Sequence, residues 1–214
     1  MKVRAMQDKY VGDVGDFGKY GLLNEIAKQS GGEIILGINW YYATREEIGN
    51  TDGNHIDYLD EKNENVIRYR ACFPELYDKL RIIVKEKRRR VYCIENSSIL
   101  PQNTIFYSRP IPFTGFSNAE RSALRKAWFD ESLCRLAKAD IIFLDPDNGI
   151  RPDLARKGAA DAIKYVFADE IENYYRQGKS LVIYNHRDRR PKVEYERKLL
   201  ICRDYVKHPD DIKV

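Results

Sequence analysis

A chain of 214 residues, 43% hydrophobic and 33% charged, has the makeup of one folded globular domain and not of a disordered segment. No apolar run is long enough to span a bilayer, and Met1–Met6 lacks the apolar stretch of a signal peptide, so a cytoplasmic protein is expected. The net charge of +4 is modest, and the four cysteines (Cys72, Cys93, Cys134, Cys202) form no Cys-x-x-Cys pair, so they read as small core residues of a reducing compartment.

Asp16 is suited to cap a helix over 17–29, with Phe17, Tyr20, Leu23 and Ala27 on one face and Gly31-Gly32 as its stop. The run from Glu33 to Tyr42 predicts a buried strand, and the stretch from Thr44 to Asp60 is rich in turn formers. Pro74 opens a helix that turns Leu76, Leu80, Ile83 and Val84 inward. Val91–Asn96 and Thr104–Ile111 read as strands. Ser117 and Glu120 have the spacing of a capping box, starting a helix toward Ala139 with an interruption near Asp130.

Ile141–Leu144 is an unbroken apolar run, as a central strand buried on both faces requires. Asp145-Pro146-Asp147-Asn148-Gly149 ends it with a turn. A helix is expected over 161–177, with Ile163, Val166, Phe167, Ile171 and Tyr174 on one stripe and Gly178 past its end. Ser180–Tyr184 reads as the next buried strand and runs into Asn185-His186, so strand, helix and strand form a parallel crossover. A last helix is expected over 193–206. With no repeat and no linker, residues 1–214 read as one α/β domain with a mostly parallel sheet.

In open parallel sheets, ligands sit beyond the carboxyl ends of the strands. Polar groups gather there at Glu95-Asn96, at Asp145 through Asn148 and at Asn185-His186. Pro146 constrains Asp145, so the turn delivers a rigid acceptor for an amine or a divalent cation. The alternative is an ordinary turn built from its usual residues. Gly12-Asp13-Val14-Gly15-Asp16 puts glycines and carboxylates at a helix start, where backbone N–H groups approach a ligand. Asp13 and Asp16 repel phosphate, and no predicted strand precedes the stretch, so it is not a dinucleotide fingerprint. A lone histidine is usually structural, but His55 is flanked by Asp52 and Asn54 and His186 ends a strand, so both are candidates for acid–base work or metal ligation if they converge on Asp145. Basic clusters at Lys85, Arg88 and Arg89, and at Arg187, Arg189 and Arg190, are suited to phosphates. Cations at a helix end are the plainer account of the first cluster.

Gly15-Asp16-Phe17-Gly18-Lys19-Tyr20 ahead of a helix, Phe143-Leu144-Asp145-Pro146-Asp147-Asn148 at a strand end, and the later strand ending Tyr184-Asn185-His186 resemble a known family. It is that of the class I S-adenosylmethionine-dependent methyltransferases, and within it the branch that methylates adenine amines of large-subunit ribosomal RNA. The resemblance covers the order of elements over most of the chain but only two short motifs. It implies a Rossmann-like three-layer α/β sandwich and a methyl group passed from S-adenosylmethionine to a nucleic-acid amine. Asp145, Pro146, Asn148 and His186 are then the catalytic set, and Gly12, Asp13, Gly15, Asp16, Asn39 and Glu95 the cofactor set. Asp147-Asn148 replaces the family's second proline and aromatic, so base stacking falls to Tyr107, Phe113 or Tyr184. The first strand also lacks the acidic end and Gly-x-Gly loop of the family.

A second reading starts from the carboxylates. Asp13, Asp16, Asp52, Asp145 and Asp147 are more carboxylates than methyl transfer needs, and with a histidine they suit Mg²⁺ or Mn²⁺ in a hydrolase or nuclease, Asp13, Asp52, Asp145 and Asp147 being the metal set. A third is a non-catalytic binding protein on the same scaffold.

Overall fold

The computed structural model describes residues 8–43, 55–64, 66–151, 154–186 and 191–200. The chain divides into two compact units. The helical unit contains the described residues up to 35 and those of 55–104; the sheet unit contains 36–43 and the described residues from 105 onward.

In the helical unit, α1 spans Val14–Gln29, α2 Val66–Cys72, α3 Pro74–Lys85 and α4 Val91–Glu95. Helix α1 starts three residues earlier than expected because Asp13, not Asp16, is the cap: its carboxylate accepts from the Asp16 N–H at 3.0 Å. Helix α3 begins at Pro74 as the sequence predicts and buries Leu76, Tyr77, Leu80 and Ile83. The strand expected over Val91–Asn96 is instead the short helix α4. Val91 and Ile94, three apart, are buried together on one side of it, and the Val91 N–H donates to the Asp8 carboxylate at 3.0 Å. An apolar run this short fits either element. Buried Phe17 and Tyr58 and half-buried Tyr69 and Phe73 form an aromatic cluster in this unit, with ring centroids 5.2–5.9 Å apart.

The sheet unit holds β1 (Leu36–Asn39), β2 (Ile105–Tyr107), α5 (Asn118–Arg135), β3 (Ile141–Leu144), β4 (Gly149–Arg151), β5 (Tyr165–Phe167), α6 (Ala168–Arg176), β6 (Ser180–Ile183) and α7 (Lys192–Leu200). Among the described residues, strands β2-β1-β3-β6 form a four-stranded sheet in which every neighbouring pair is parallel. The central β3 is an apolar run, as predicted. Strand β6, expected to be buried, is the last strand on its side of the sheet among the described residues and is half-buried.

One face of the sheet carries Tyr107, Ile142, Leu144 and Ile183, packed with Trp128, Phe129, Ile171 and Tyr174 of α5 and α6. Helix α5 has the predicted capping box at Ser117 and Glu120. It runs through Asp130 without a break, because exposed Asp130 pairs with Lys126 one turn earlier at 2.7 Å. The helix expected over 161–177 is a 3-10 turn (Ala162–Lys164), then β5, then α6. Strand β5 pairs in parallel with β4, a two-stranded sheet the sequence reading missed.

Candidate functional site at the strand ends

The chain goes from β1 to β2 on one side and then to β3 on the other, so the strand order reverses between β1 and β3. Crevices at the carboxyl ends beside such a reversal are where open α/β sheets bind ligands. The hydrogen-bond ladder runs one residue past the strands there. Trp40 N–H donates to the Tyr107 carbonyl (3.3 Å), Asp145 N–H to the Asn39 carbonyl (3.0 Å) and Tyr184 N–H to the Leu144 carbonyl (2.9 Å). Trp40, Asp145 and Tyr184 therefore stand side by side. By the alternation of a strand they face away from Leu144 and Ile183.

Asp145 is 1% exposed and Pro146 is buried with it. The rest of the turn is tied down. Asn148 N–H donates to the Lys164 carbonyl (2.9 Å), its amide donates to the Tyr165 hydroxyl (3.1 Å), and Asp147 lies 4.0 Å from the Lys164 ammonium. Gly149 has φ +88°, and a Cβ there would come within 2.8 Å of the Asn185 backbone and collide with its side chain. Asn185 fills that space, accepting from the Ile150 N–H at 2.8 Å and donating to the Tyr195 hydroxyl at 2.7 Å. His186 is exposed, and its Nδ1 lies 3.4 Å from the Tyr184 hydroxyl.

At the end of β1 the Asn39 side chain is fully buried. Its oxygen accepts from the Tyr41 N–H (3.1 Å) and its nitrogen donates to the Tyr174 hydroxyl (3.2 Å). Tyr41 is in the left-handed region at φ +47°, a strained backbone for an aromatic residue.

Behind this turn lies a charged network absent from the sequence reading. Arg125 and Glu170, 2% and 1% exposed, form a two-pronged pair at 2.7 and 2.9 Å. Arg125 also donates to the carbonyls of Ala162 (2.8 Å) and Tyr165 (2.6 Å), and its guanidinium lies 4.6 Å from the Phe167 ring centroid. Glu170 accepts from the Tyr41 hydroxyl and the Phe167 N–H, both at 3.1 Å. Burial alone would raise the Glu170 carboxyl, but the Arg125 charge and hydrogen bonds outweigh it and hold it below the usual carboxylate range. Burial, then the Glu170 charge, push the Tyr41 hydroxyl well up, so it stays a donor. Burial likewise raises Tyr174 to about 12. A signal was available: Arg125 falls in register with Trp128, Phe129 and Ser132, the buried stripe of α5.

Among the expected stacking rings, Tyr107 is buried with its hydroxyl on the Trp128 carbonyl (2.8 Å), and Phe113 is covered by the Arg121 guanidinium at 4.4 Å. Tyr184 is the one beside Asp145.

The remaining candidates belong to the helical unit. Gly12, Asp13 and Asp16 serve the start of α1. Asp16 is fully buried and accepts from the Gly12 N–H (3.1 Å), the Tyr20 hydroxyl (3.1 Å) and the Lys19 ammonium (3.3 Å). Gly12 has φ +81°, with Val84 packed against it, and Gly15 is exposed. Glu95 ends α4 and not a strand. His55 is exposed and its carbonyl accepts from the Val14 N–H at 2.9 Å. In the first basic cluster, Lys85 lies 3.8 Å from Glu61, Arg88 pairs with Glu86 at 2.8 Å, and Arg89 donates to the Val11 carbonyl at 2.7 Å. Asp52, Arg187, Arg189 and Arg190 lie outside the described residues. Among the described residues, no three His, Cys, Asp or Glu side chains gather as metal ligands would.

Compared with protein-family models, with curated proteins and with solved structures, the chain matches none.

Proposed function

We propose that this is a methyltransferase-like protein of Rossmann-like, three-layer architecture, whose site at the carboxyl ends of β1 and β3 receives an amine of a nucleic acid. The observation that carries the reading is Asp145, a buried carboxylate followed by Pro146 at the reversal of strand order. In this reading Asp145 accepts from the amine and Asn148, braced by Tyr165, orients it. Tyr184 flanks the base, His186 lies at the rim, and Arg187, Arg189 and Arg190 hold phosphates.

S-adenosylmethionine is the methyl donor this reading implies, but the residues expected to hold it do not fit. The Asn39 amide is spent on Tyr41 and Tyr174, Gly12, Asp13 and Asp16 are spent on the start of α1, and Glu95 ends a helix. No transfer step is assigned to them. Metal-dependent hydrolysis has no gathered ligand set in its favour among the described residues.

The test pairs calorimetric titration of S-adenosylmethionine with tritium transfer from the labelled cofactor to RNA and DNA, in the wild type and Asp145→Ala. Saturable cofactor binding with transfer lost in the variant supports methyl transfer. Without cofactor binding, RNA affinity that Asp145→Ala weakens leaves an amine-binding module. If the variant changes neither, Asp145 is not the site.

A further inference from the structure

Strained backbone persists only where its surroundings over-determine it. Tyr41 sits two residues past the end of β1, at the reversal of strand order. Three things hold it: the Asn39 oxygen on its N–H, the Trp128 ring edge-on at 5.2 Å, and Glu170 on its hydroxyl. Glu170 is fixed in turn by Arg125. The same Asn39 that braces Tyr41 through its side chain carries the Asp145 N–H on its carbonyl. A continuous chain of contacts thus runs from Arg125 through Glu170, Tyr41 and Asn39 to Asp145.

We infer that Tyr41 is a positioning residue: anchored through its hydroxyl to the buried Arg125–Glu170 pair, it sets the Asn39 peptide and so fixes Asp145. The inference rests on Asp145 as the acceptor of the proposed site, but its geometry is independent of which ligand comes. Removing the hydroxyl leaves the ring in the core and releases one anchor of a strained turn. The turn then opens more often, and Asp145 loosens with it while the strand interiors do not.

The experiment is amide hydrogen exchange read by NMR on the full chain, comparing the wild type, Tyr41→Phe and Ile171→Val, a core change in α6 that serves as a stability control. Tyr41→Phe is expected to speed exchange at Tyr41 and Asp145 by about tenfold, the loss of one hydrogen bond, leaving Ile38 and Ile142 unchanged. Ile171→Val is expected to spare Tyr41 and Asp145. Glu170→Gln, read the same way, should loosen the same two amides. Uniform acceleration, no acceleration, or the same pattern in Ile171→Val would overturn the inference, since each means that Tyr41 acts through overall stability or not at all. These outcomes need no cofactor, so a failure of S-adenosylmethionine to bind would count against methyl transfer alone.

Discussion

Replacing Arg125 with Met keeps an unbranched apolar stem, though a shorter one, and removes the charge. Four hydrogen bonds go with it, two to Glu170 and one each to the carbonyls of Ala162 and Tyr165. What remains is a carboxylate 1% exposed, supported by the Tyr41 hydroxyl, the Phe167 N–H and an ammonium, Lys157, 3.9 Å away. Breaking a buried pair from one side costs about 3–5 kcal/mol, because the surviving charge is stranded. For a chain of this size, that lowers the thermal midpoint by roughly 6–20 °C. Urea unfolding followed by far-UV circular dichroism reads the free energy. A second arm, Arg125→Met with Glu170→Leu, removes the stranded charge and should recover about 1–3 kcal/mol relative to the sum of the single changes. A cost below about 1 kcal/mol for Arg125→Met would mean that water reaches the pair. Strict additivity would mean that the two side chains do not act together. Either result refutes the reasoning.

Three further outcomes are expected. Because Glu170 titrates below its ordinary range when folded, its share of stability is complete above about pH 4.3, where an unfolded glutamate titrates. That share drains away as the pH falls through the folded value, so urea midpoints should drop on acidification, and by less in Arg125→Met. Lys87 closes α3 in the left-handed region at φ +55°, with the Arg88 N–H on the Ile83 carbonyl, a place glycine usually takes; Lys87→Gly should stabilise by about 0.5–1 kcal/mol, read as a raised urea midpoint. Gly149→Ala should cost about 2 kcal/mol or more, since φ is positive and Asn185 occupies the space; an unchanged thermal midpoint would show that the turn relaxes freely.

Elements with local punctuation were legible in the sequence. Pro74 opens α3, the Ser117–Glu120 pair opens α5, and the apolar run 141–144 is the central strand. Elements whose form depends on distant partners were not. Ile163, Val166, Phe167, Ile171 and Tyr174 are all buried, as their spacing predicts, but Arg125 holds the carbonyls of Ala162 and Tyr165, and β4 pairs with 165–167, so the first half of that stripe is a turn and a strand. At the site, Asp145 was legible as a strand-end carboxylate. That Asn39 spends its amide on Tyr41 was not, since the demand comes from a backbone conformation the sequence does not announce. Asp16 was misread as a cap because Asp13, three residues earlier, competes for that role and wins.

The fit between Gly149 and Asn185 has a consequence for how the sequence can change. The space a side chain at 149 would need is the space the Asn185 amide holds, and that amide has its oxygen on Ile150 and its nitrogen on Tyr195. A side chain at 149 collides with Asn185, and losing the acceptor oxygen at 185 orphans the Ile150 N–H. The two residues form one heritable unit: in any lineage of this fold they should be kept together or replaced together, and Tyr195 should follow them.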